Sequence, residues 1–259
     1  MRRFILLAIL LLPVFAGAQT PSSIIETVRE KQAERWDGVD SYAVNQTVLG
    51  SPLRIVYRRG SEPGPDGSSR VVFLPEGVGD QATPSTEELV RLLEQSELVG
   101  EESIDGRNAF HLRANDVTEM MDMGSGNVTL NHISVWIDSS DYVPLRMSME
   151  GTMTDGAETR PASIVATMSD YRSVPGSKMY ESYRQTMTTS SVLTDAERAE
   201  LEQARAQLAE FESQMASMPE SQRQMMENMM GPQINAIREM ITDEGIVIDV
   251  VVDSIEINP

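Results

Sequence analysis

Short segments in which apolar and polar residues alternate recur along most of this chain, and this period of two constrains the fold more than any other feature. The segments run from YAVNQTVLG at residues 42–50 to IVIDVVVDSIEIN at residues 246–258. Alternation puts one class of side chain on each face of a strand, so each strand has a buried face and a wet face. Turn dipeptides such as Asp105-Gly106, which suits positive φ angles, separate neighbouring segments. The pattern therefore predicts an antiparallel sheet.

Helical patterns appear before and within this strand-rich region. In SSIIETVREKQAERW, residues 22–36, Ser23 and Glu26 have the spacing of a capping box, which predicts a helix. Its broad apolar face comprises Ile24, Ile25, Val28 and Trp36. A second, short amphipathic helix is predicted in STEELVRLLEQS, residues 85–96. Strands and helices together predict an α+β fold.

A longer helical stretch lies between the last two predicted strands, and we expect a helical hairpin insertion over residues 194–243. Thr194 and Glu197 form a capping box. Apolar residues then follow spacings of three and four, at Leu201, Ala204, Leu208, Phe211, Met215 and Met218. A second helix is predicted to restart near Pro219, with Gly231-Pro232 as a kink.

The N-terminus predicts export from the cytoplasm. Two arginines precede an apolar run, and small residues follow at Ala16 and Ala18, so residues 1–18 are predicted to be a signal peptide cleaved after Ala18. The chain has no cysteine, which excludes disulfides and a cysteine-linked lipid anchor. We therefore expect a soluble periplasmic protein with no integral membrane segment in its mature chain, forming a single domain over residues 19–259.

The net charge of −19 restricts the partners of the protein. Loss of Arg2 and Arg3 with the predicted signal peptide would bring it to −21. An acidic surface of this kind repels phosphate backbones and anionic lipid head groups, so binding to nucleic acid is not expected. High solubility is the simplest interpretation of the acidity.

Four stretches of the sequence resemble the periplasmic outer-membrane lipoprotein carrier family, known as LolA/LolB-like proteins. They are WDGVDSYAV, DGRNAFHL, VWIDSSDYVPLRMSMEG and MSDYRSVPGSKMY, and the resemblance covers about residues 22–190 and 246–258. The resemblance implies a strongly curved antiparallel sheet, a half-open β-barrel wrapped around helices, with an apolar cavity. The helical hairpin before the last strand would be an addition to that fold.

An enzyme is not expected. The two histidines, His111 and His132, lie in strand patterns without a nucleophile elbow or a paired-ligand spacing, which disfavours a catalytic triad and a zinc site. Glu101, Glu102 and Asp105 cluster near a hairpin, but acidic clusters are inevitable in so acidic a chain. No catalytic residue, metal or cofactor is therefore predicted.

Six of the seventeen methionines fall within residues 214–233, and three interpretations stay open. Their helical spacing favours an apolar seam within the hairpin or against the sheet. The excess width of the stripe favours a lid over the open barrel, with lid residues Met225, Met226, Met229 and Met230. Thioether pairs at a spacing of three could also bind copper(I).

The first functional hypothesis is a non-enzymatic carrier for an acyl chain, a lipid or a lipidated protein, as in outer-membrane lipoprotein sorting. The concave face of the sheet would line the cavity with Tyr42, Val44, Leu53, Ile55, Tyr57, Phe73, Phe110, Leu112, Ile133, Val135 and Ile137. The alternative is an envelope adaptor or sensor that binds a protein partner through the helical hairpin.

Overall fold

The computed structural model describes residues 19–63, 69–76, 93, 95–115, 117, 128–155, 158–191, 195–226, 231, 234 and 246–259. Two helices have defined bounds, α1 (Pro21–Arg35) and α2 (Asp195–Ala216). The strands are β1 (Ser41–Val48), β2 (Ser51–Pro63), β3 (Ser69–Pro75), β4 (Glu97–Ile104), β5 (Arg107–Asn115), β6 (Val128–Asp138), β7 (Pro144–Asp155), β8 (Glu158–Ser173), β9 (Tyr180–Ser191) and β10 (Ile246–Ile257). Each strand predicted from alternation is present.

The ten strands form one sheet in the order β3-β2-β1-β10-β9-β8-β7-β6-β5-β4, and each adjacent pair is antiparallel. Strands that are consecutive in sequence are neighbours in the sheet, except β3 and β4, which lie at its two ends. The last strand, β10, pairs with β9 and also with β1, so it lies between them. The sheet therefore has edges at β3 and β4, and in the described part of the chain no pairing joins these edges. The predicted turn at Asp105-Gly106 is confirmed, with φ angles of 49° and 80°.

The contacts of α1 show that the sheet is strongly curved. Ile24 and Ile25, near the start of α1, pack against the β5 and β6 end of the sheet. Trp36, which follows α1, lies 4.1 Å from Phe73 of β3 between ring centroids. In a flat sheet β3 and β5 would be about 38 Å apart at about 4.8 Å per strand, yet Ile24 and Trp36 are only about 18 Å apart along a helix. The sheet must therefore curl around α1, which confirms the predicted α+β half-open barrel.

The core divides into three clusters along this curve. The first lies between α1 and the β5–β6 region and contains Ile24, Ile25, Phe110, Leu112, Ala114, Val117, Leu130, Ile133, Val135 and Ile137. The second contains Ala109, Trp136, Val143 and Leu145. The third contains Val39, Val174 and Met179, with Trp36 packed against it. Helix α1 packs in the first cluster, and Trp36, directly after the helix, packs against the third. The position of this segment therefore decides which part of the concave face is filled.

The start of α1 differs from the prediction. The N-cap is Thr20 rather than Ser23, and Ser23 is instead the third residue of the helix, where its hydroxyl and that of Thr20 complete a capping box. The Thr20 hydroxyl accepts a hydrogen bond from the Ser23 N–H at 3.2 Å. Pro21 follows at the first helical position, where its fixed φ and missing N–H suit a helix start. The Thr20-Pro21 pair therefore indicates the start of the helix better than the Ser23–Glu26 spacing does.

Replacing Thr20 with alanine should lower the free energy of unfolding by about 1 kcal/mol, because it leaves an N–H of the first turn without its side-chain acceptor. Urea unfolding followed by circular dichroism measures the change. Ser22→Ala, at an exposed position in the same turn, is the matched control and should have little effect. An equal loss in both variants would contradict the capping role of Thr20.

The predicted hairpin insertion begins as expected. Helix α2 ends at Ala216, a turn contains Pro219, and residues 220–226 are helical. Most of residues 227–243 lies outside the described residues, as do the predicted signal peptide and most of the helix predicted at 85–96. The two-helix hairpin as a whole therefore stays a prediction. Within the described residues, no helix combines the length and apolar character required to cross a bilayer.

A buried carboxylate organises the turn between β6 and β7. The side chain of Asp138 is 4% exposed and accepts hydrogen bonds from Arg107 Nε at 2.8 Å, from the Ser140 N–H at 2.9 Å and from the Asp141 N–H at 2.5 Å. Arg107 also donates to the half-exposed Asp141 carboxylate at 2.7 Å. This network holds the turn beside the C-terminal end of α1, because Arg35 donates to the Asp141 carbonyl oxygen at 2.5 Å.

Candidate functional site

A cavity of about 330 Å³ lies between α1 and the concave face of the sheet. One set of its lining side chains is apolar and comes from α1, the segment before β4, and β6 to β8. These residues are Ile25, Val28, Trp36, Leu93, Val135, Ile137, Val143, Pro144 and Met168. Concave, mostly apolar pockets with a few polar groups are the usual form of small-molecule sites.

The remaining lining residues are polar, and they come from α1, the β6–β7 turn, β8 and β9. They are Arg29, Gln32, Arg35, Tyr142, Tyr171, Tyr180, Glu181, Ser182 and Gln185. The cavity therefore has an amphipathic lining, which matches a ligand with an apolar part and a polar part. Among the described residues of this lining, the charged side chains are two arginines from α1 and one glutamate from β9.

Glu181 is the acidic residue of the cavity. Burial raises its pKa to about 7, and the positive charge of Arg35 opposes this shift only in part. Within the described residues, the Glu181 carboxylate accepts no hydrogen bond. A carboxyl group with these properties is partly protonated near neutral pH and can either donate or accept a hydrogen bond.

Arg35 also lines the cavity, and its guanidinium is anchored by two contacts. One of its terminal nitrogens donates to the Asp141 carbonyl oxygen at 2.5 Å, and its guanidinium carbon lies 5.6 Å from the centroid of the Tyr180 ring. In the part of the chain that the structure describes, Arg35 forms no ion pair with Glu181. The cavity thus presents an anchored positive group and a half-buried acid with no ion pair between them.

Tyrosine side chains surround this polar region. Tyr171 donates a short hydrogen bond to the Pro144 carbonyl oxygen and stacks on Tyr180 with 5.5 Å between ring centroids. Burial and the negative charge of Glu181 raise the pKa of Tyr171 well above its usual value. Burial, Tyr57 and Glu181 likewise raise the pKa of Tyr42. These phenols therefore stay neutral over the physiological pH range and can act as hydrogen-bond donors.

The structure places the eleven predicted lining residues on the side of the sheet that α1 covers, but in different surroundings. Val135 and Ile137 line the cavity. Phe110, Leu112 and Ile133 are buried in the core cluster beneath Ile24 and Ile25.

The other six predicted residues lie on β1, β2 and β3. Tyr42 and Phe73 pack around Trp36, and Tyr57 stacks on Tyr42 with 4.7 Å between ring centroids. Val44 and Ile55 are opposite each other and half-buried, whereas Leu53 is 45% exposed. Alternation thus indicated which side chains lie on the same face of the sheet. The position of α1 determines which of them line the cavity.

The predicted lid is described only in part. Met225 is 65% exposed and Met226 is half-buried, whereas Met229 and Met230 lie outside the described residues. The lid role of these four methionines stays a prediction. Met215 and Met218, one of the predicted thioether pairs, are both half-buried. Among the residues that the structure describes, no group of three or more histidine or acidic side chains could hold a metal ion.

Sequence analysis missed Glu181, Arg35, Tyr171 and Tyr180. One signal for Glu181 was present in the strand KMYESYRQTM: Met179, Glu181 and Tyr183 share the parity of one strand face, so an acid interrupts an otherwise apolar row. The flanking Met179 and Tyr183 are both buried. An acidic residue on the apolar face of a strand needs a special environment, which makes it a candidate site residue.

The acidic cluster near the β4–β5 hairpin is separate from the cavity, and Glu102 lies on the opposite face of the sheet. Glu102 accepts a hydrogen bond from Trp136 Nε1 at 2.9 Å and lies 2.7 Å from His111 Nδ1. His111 stacks on Trp136 with 4.3 Å between centroids. The hydrogen bonds from Trp136 and His111 lower the pKa of Glu102. Glu101 and Asp105 are exposed. This arrangement anchors side chains on the sheet and contains no pair of carboxylates facing a common space.

No protein-family model matches the chain, and no curated protein matches it by sequence. The chain is similar to a solved domain from Vibrio parahaemolyticus named for outer-membrane lipoprotein sorting, with 11% identity, a TM-score of 0.40, and coverage of 92% of this chain and 93% of that chain. It is also similar to a DUF1329 family protein from Desulfovibrio piger, with 10% identity, a TM-score of 0.40 and 92% of each chain covered.

A third similar structure is a LolA superfamily protein from Nitrosomonas europaea. The identity is 12% and the TM-score is 0.38, with 93% of this chain and 95% of that chain covered. A LolA superfamily protein is thus among the solved structures to which the chain is similar. At this level the similarity concerns the course of the backbone alone.

Proposed function

We propose that the protein binds a single apolar chain of an amphiphile in the cavity between α1 and the sheet, and that it acts as a non-enzymatic carrier. The observation that supports this most is the cavity itself, about 330 Å³ with an apolar wall and a polar wall. Sites for small molecules have volumes of about 300–1,000 Å³. The cavity is at the lower end of that range, which favours one chain over two.

The length of chain that is buried sets the affinity to expect. Burial of a chain of about ten methylenes would contribute about 8 kcal/mol. Loss of ligand motion on binding offsets part of this gain. We therefore expect micromolar or weaker dissociation constants for a simple acyl chain.

Filling the cavity should abolish this binding. Val28 is a half-buried residue of α1 that lines the apolar wall. Val28→Trp places an indole in the space that the chain would occupy, so the affinity for a fluorescent fatty acyl probe should fall by about tenfold or more. Fluorescence titration measures the affinity, and circular dichroism checks that the variant is folded.

The matched control is Ala33→Trp, which adds the same side chain at an exposed position of the same helix. This variant should bind the probe as the wild type does. Loss of binding in both variants would point to a general effect on α1, and retained binding in Val28→Trp would place the probe outside this cavity. Either result would overturn the proposed site.

The proposal extends to location and cargo. Residues 1–18, predicted to be a cleaved signal peptide, would deliver the protein to the periplasm, where acyl chains of lipids and lipidated proteins must be shielded from water during transfer. The intact mass of the exported protein tests the first step, because cleavage after Ala18 fixes the mass of the mature chain.

A further inference from the structure

The polar wall of the cavity has an unusual charge arrangement. Arg35 of α1 and Glu181 of β9 both line the same space. Arg35 donates a hydrogen bond to the Asp141 carbonyl oxygen and lies over the Tyr180 ring, and it forms no ion pair with Glu181. Among the described residues, these two opposite charges line one cavity and form no ion pair with each other. A ligand group could therefore contact both.

The position of Glu181 is costly in the ligand-free protein. Transfer of a carboxylate from water to a buried place is unfavourable unless hydrogen bonds or a positive charge compensate. Its strand neighbours on the same face are the buried Met179 and Tyr183. A glutamine would fill the same volume without this cost. An acid at this position is therefore explained best by a ligand that brings a positive charge or a strong hydrogen-bond donor to it.

We propose that the ligand is a single-chain amphiphile with a zwitterionic head group, whose primary ammonium contacts Glu181 and whose phosphate contacts Arg35. This inference rests on the proposed function, since the chain of the same ligand would occupy the apolar part of the cavity. An ammonium and a phosphate joined by a short linker would satisfy both charges, and each contact would be a charge-assisted hydrogen bond.

Simpler head groups fit the cavity less well. The carboxylate of a fatty acid could contact Arg35 but would lie near the like charge of Glu181. An alkylammonium could contact Glu181 but would lie near Arg35, whose charge is permanent. Only a head group with both signs avoids a repulsive contact, so charge complementarity on the two walls selects the ligand class.

The proposal predicts the direction of the pH dependence. The ionisable groups that line the polar region, pair with Glu181 across the sheet or interact with it are Arg29, Arg35, Tyr42, Tyr142, Tyr171, Arg172, Tyr180 and Glu181 itself. We expect the titration of Glu181 to determine the pH dependence between about pH 5.5 and about pH 8.5. Burial puts the pKa of Glu181 at about 7 in the free protein. A bound ammonium favours the carboxylate, so binding should strengthen as the pH rises toward 7 and then level off.

A matched pair of probes tests this inference. Lauroyl lysophosphatidylethanolamine carries an ammonium and a phosphate, whereas lauroyl lysophosphatidylglycerol carries the same chain and phosphate without the ammonium. Each lipid is used below its critical micelle concentration to displace a fluorescent acyl probe. At pH 8.5 the wild type should bind the ethanolamine lipid about tenfold more tightly than the glycerol lipid. This preference should shrink toward equality at about pH 5.5, where Glu181 is protonated.

Glu181→Gln keeps the shape of the side chain and removes its charge. This variant should bind both lipids equally at all pH values, while Glu101→Gln, at an exposed position of β4, should behave as the wild type does. The unfolding temperature of Glu181→Gln above pH 7 should be at least that of the wild type, because the variant removes the desolvation cost of the carboxylate.

Three results would overturn the inference, and they separate it from the proposed function. Equal binding of both lipids by the wild type, with loss of both in Val28→Trp, would keep the cavity and exclude the head-group contact. An ethanolamine preference that Glu181→Gln retains would place the ammonium elsewhere. Binding of neither lipid, nor of the acyl probe, would exclude the proposed function and this inference with it.

Discussion

Replacing Gly151 with alanine should lower the free energy of unfolding by about 3 kcal/mol, because overpacking here presses on backbone atoms that have no room to move. A Cβ at Gly151 of β7 would lie 2.2 Å from the Thr129 carbonyl oxygen and 3.0 Å from Leu130 Cα. Both atoms belong to β6, next to the irregular pairing between Leu130 and His132. Urea unfolding monitored by tryptophan fluorescence measures the change.

Gly60→Ala is the matched control, since Gly60 is also a strand glycine. The nearest atom to a Cβ at Gly60 is Leu74 Cδ1 at 3.3 Å, the end of a flexible side chain that is 52% exposed. This variant should change the free energy of unfolding by less than about 1 kcal/mol. If Gly151→Ala loses as little stability as Gly60→Ala, β6 accommodates the added methyl group at little cost and the prediction is wrong.

Replacing Asp138 with asparagine should lower the free energy of unfolding by about 3 kcal/mol at pH 7. The change removes the charge that Arg107 contacts and presents an amide N–H₂ where three donors converge. Asp141→Asn is the matched control, because Asp141 contacts the same guanidinium from a half-exposed position. Its loss should be below about 1 kcal/mol. A similar loss in both variants would contradict the special role of the buried carboxylate.

The effect of Asp138 should depend on pH in a defined direction. Burial alone would raise its pKa, but the hydrogen bonds from the Asp141 N–H, Arg107 and the Ser140 N–H outweigh burial and lower the pKa below its usual value. The stabilisation is therefore complete above the unfolded-state pKa of about 3.9 and is lost as the pH falls through the lower folded-state value. The difference between the wild type and Asp138→Asn should be constant from about pH 5 to 7 and decrease below about pH 4.

The strands and their faces could be predicted from the sequence because alternation is a local property. Tyr42 and Val44 alternate along β1, and their partners Tyr57 and Ile55 alternate along β2, so these side chains share one face of the sheet. The Asp105-Gly106 turn was equally local, since only a few residue types adopt positive φ at both central positions. Each of these predictions depended on neighbouring residues in the chain.

The cavity could not be predicted in the same way, because its location depends on where α1 lies on the curved sheet. Val135 lines the cavity while Leu112, opposite it on β5, is fully buried in the core. No period in the sequence distinguishes these two residues. Arg35 gave no signal either, since an arginine in the last turn of a helix is ordinary, and only the fold brings it to the space that Glu181 lines.

The central position of β10 has a consequence for folding kinetics. Tyr42 pairs with Ile257, and the Asn258 side chain accepts hydrogen bonds from the Asp40 and Ser41 N–H groups at 2.9 and 3.0 Å. These contacts join distant parts of the chain, and loops of this length close slowly. Until β10 enters, β1 and β9 each present an unpaired edge, which can template aggregation. Docking of β10 should therefore limit the rate at which the sheet becomes continuous, and intermediates that lack it should be prone to strand exchange.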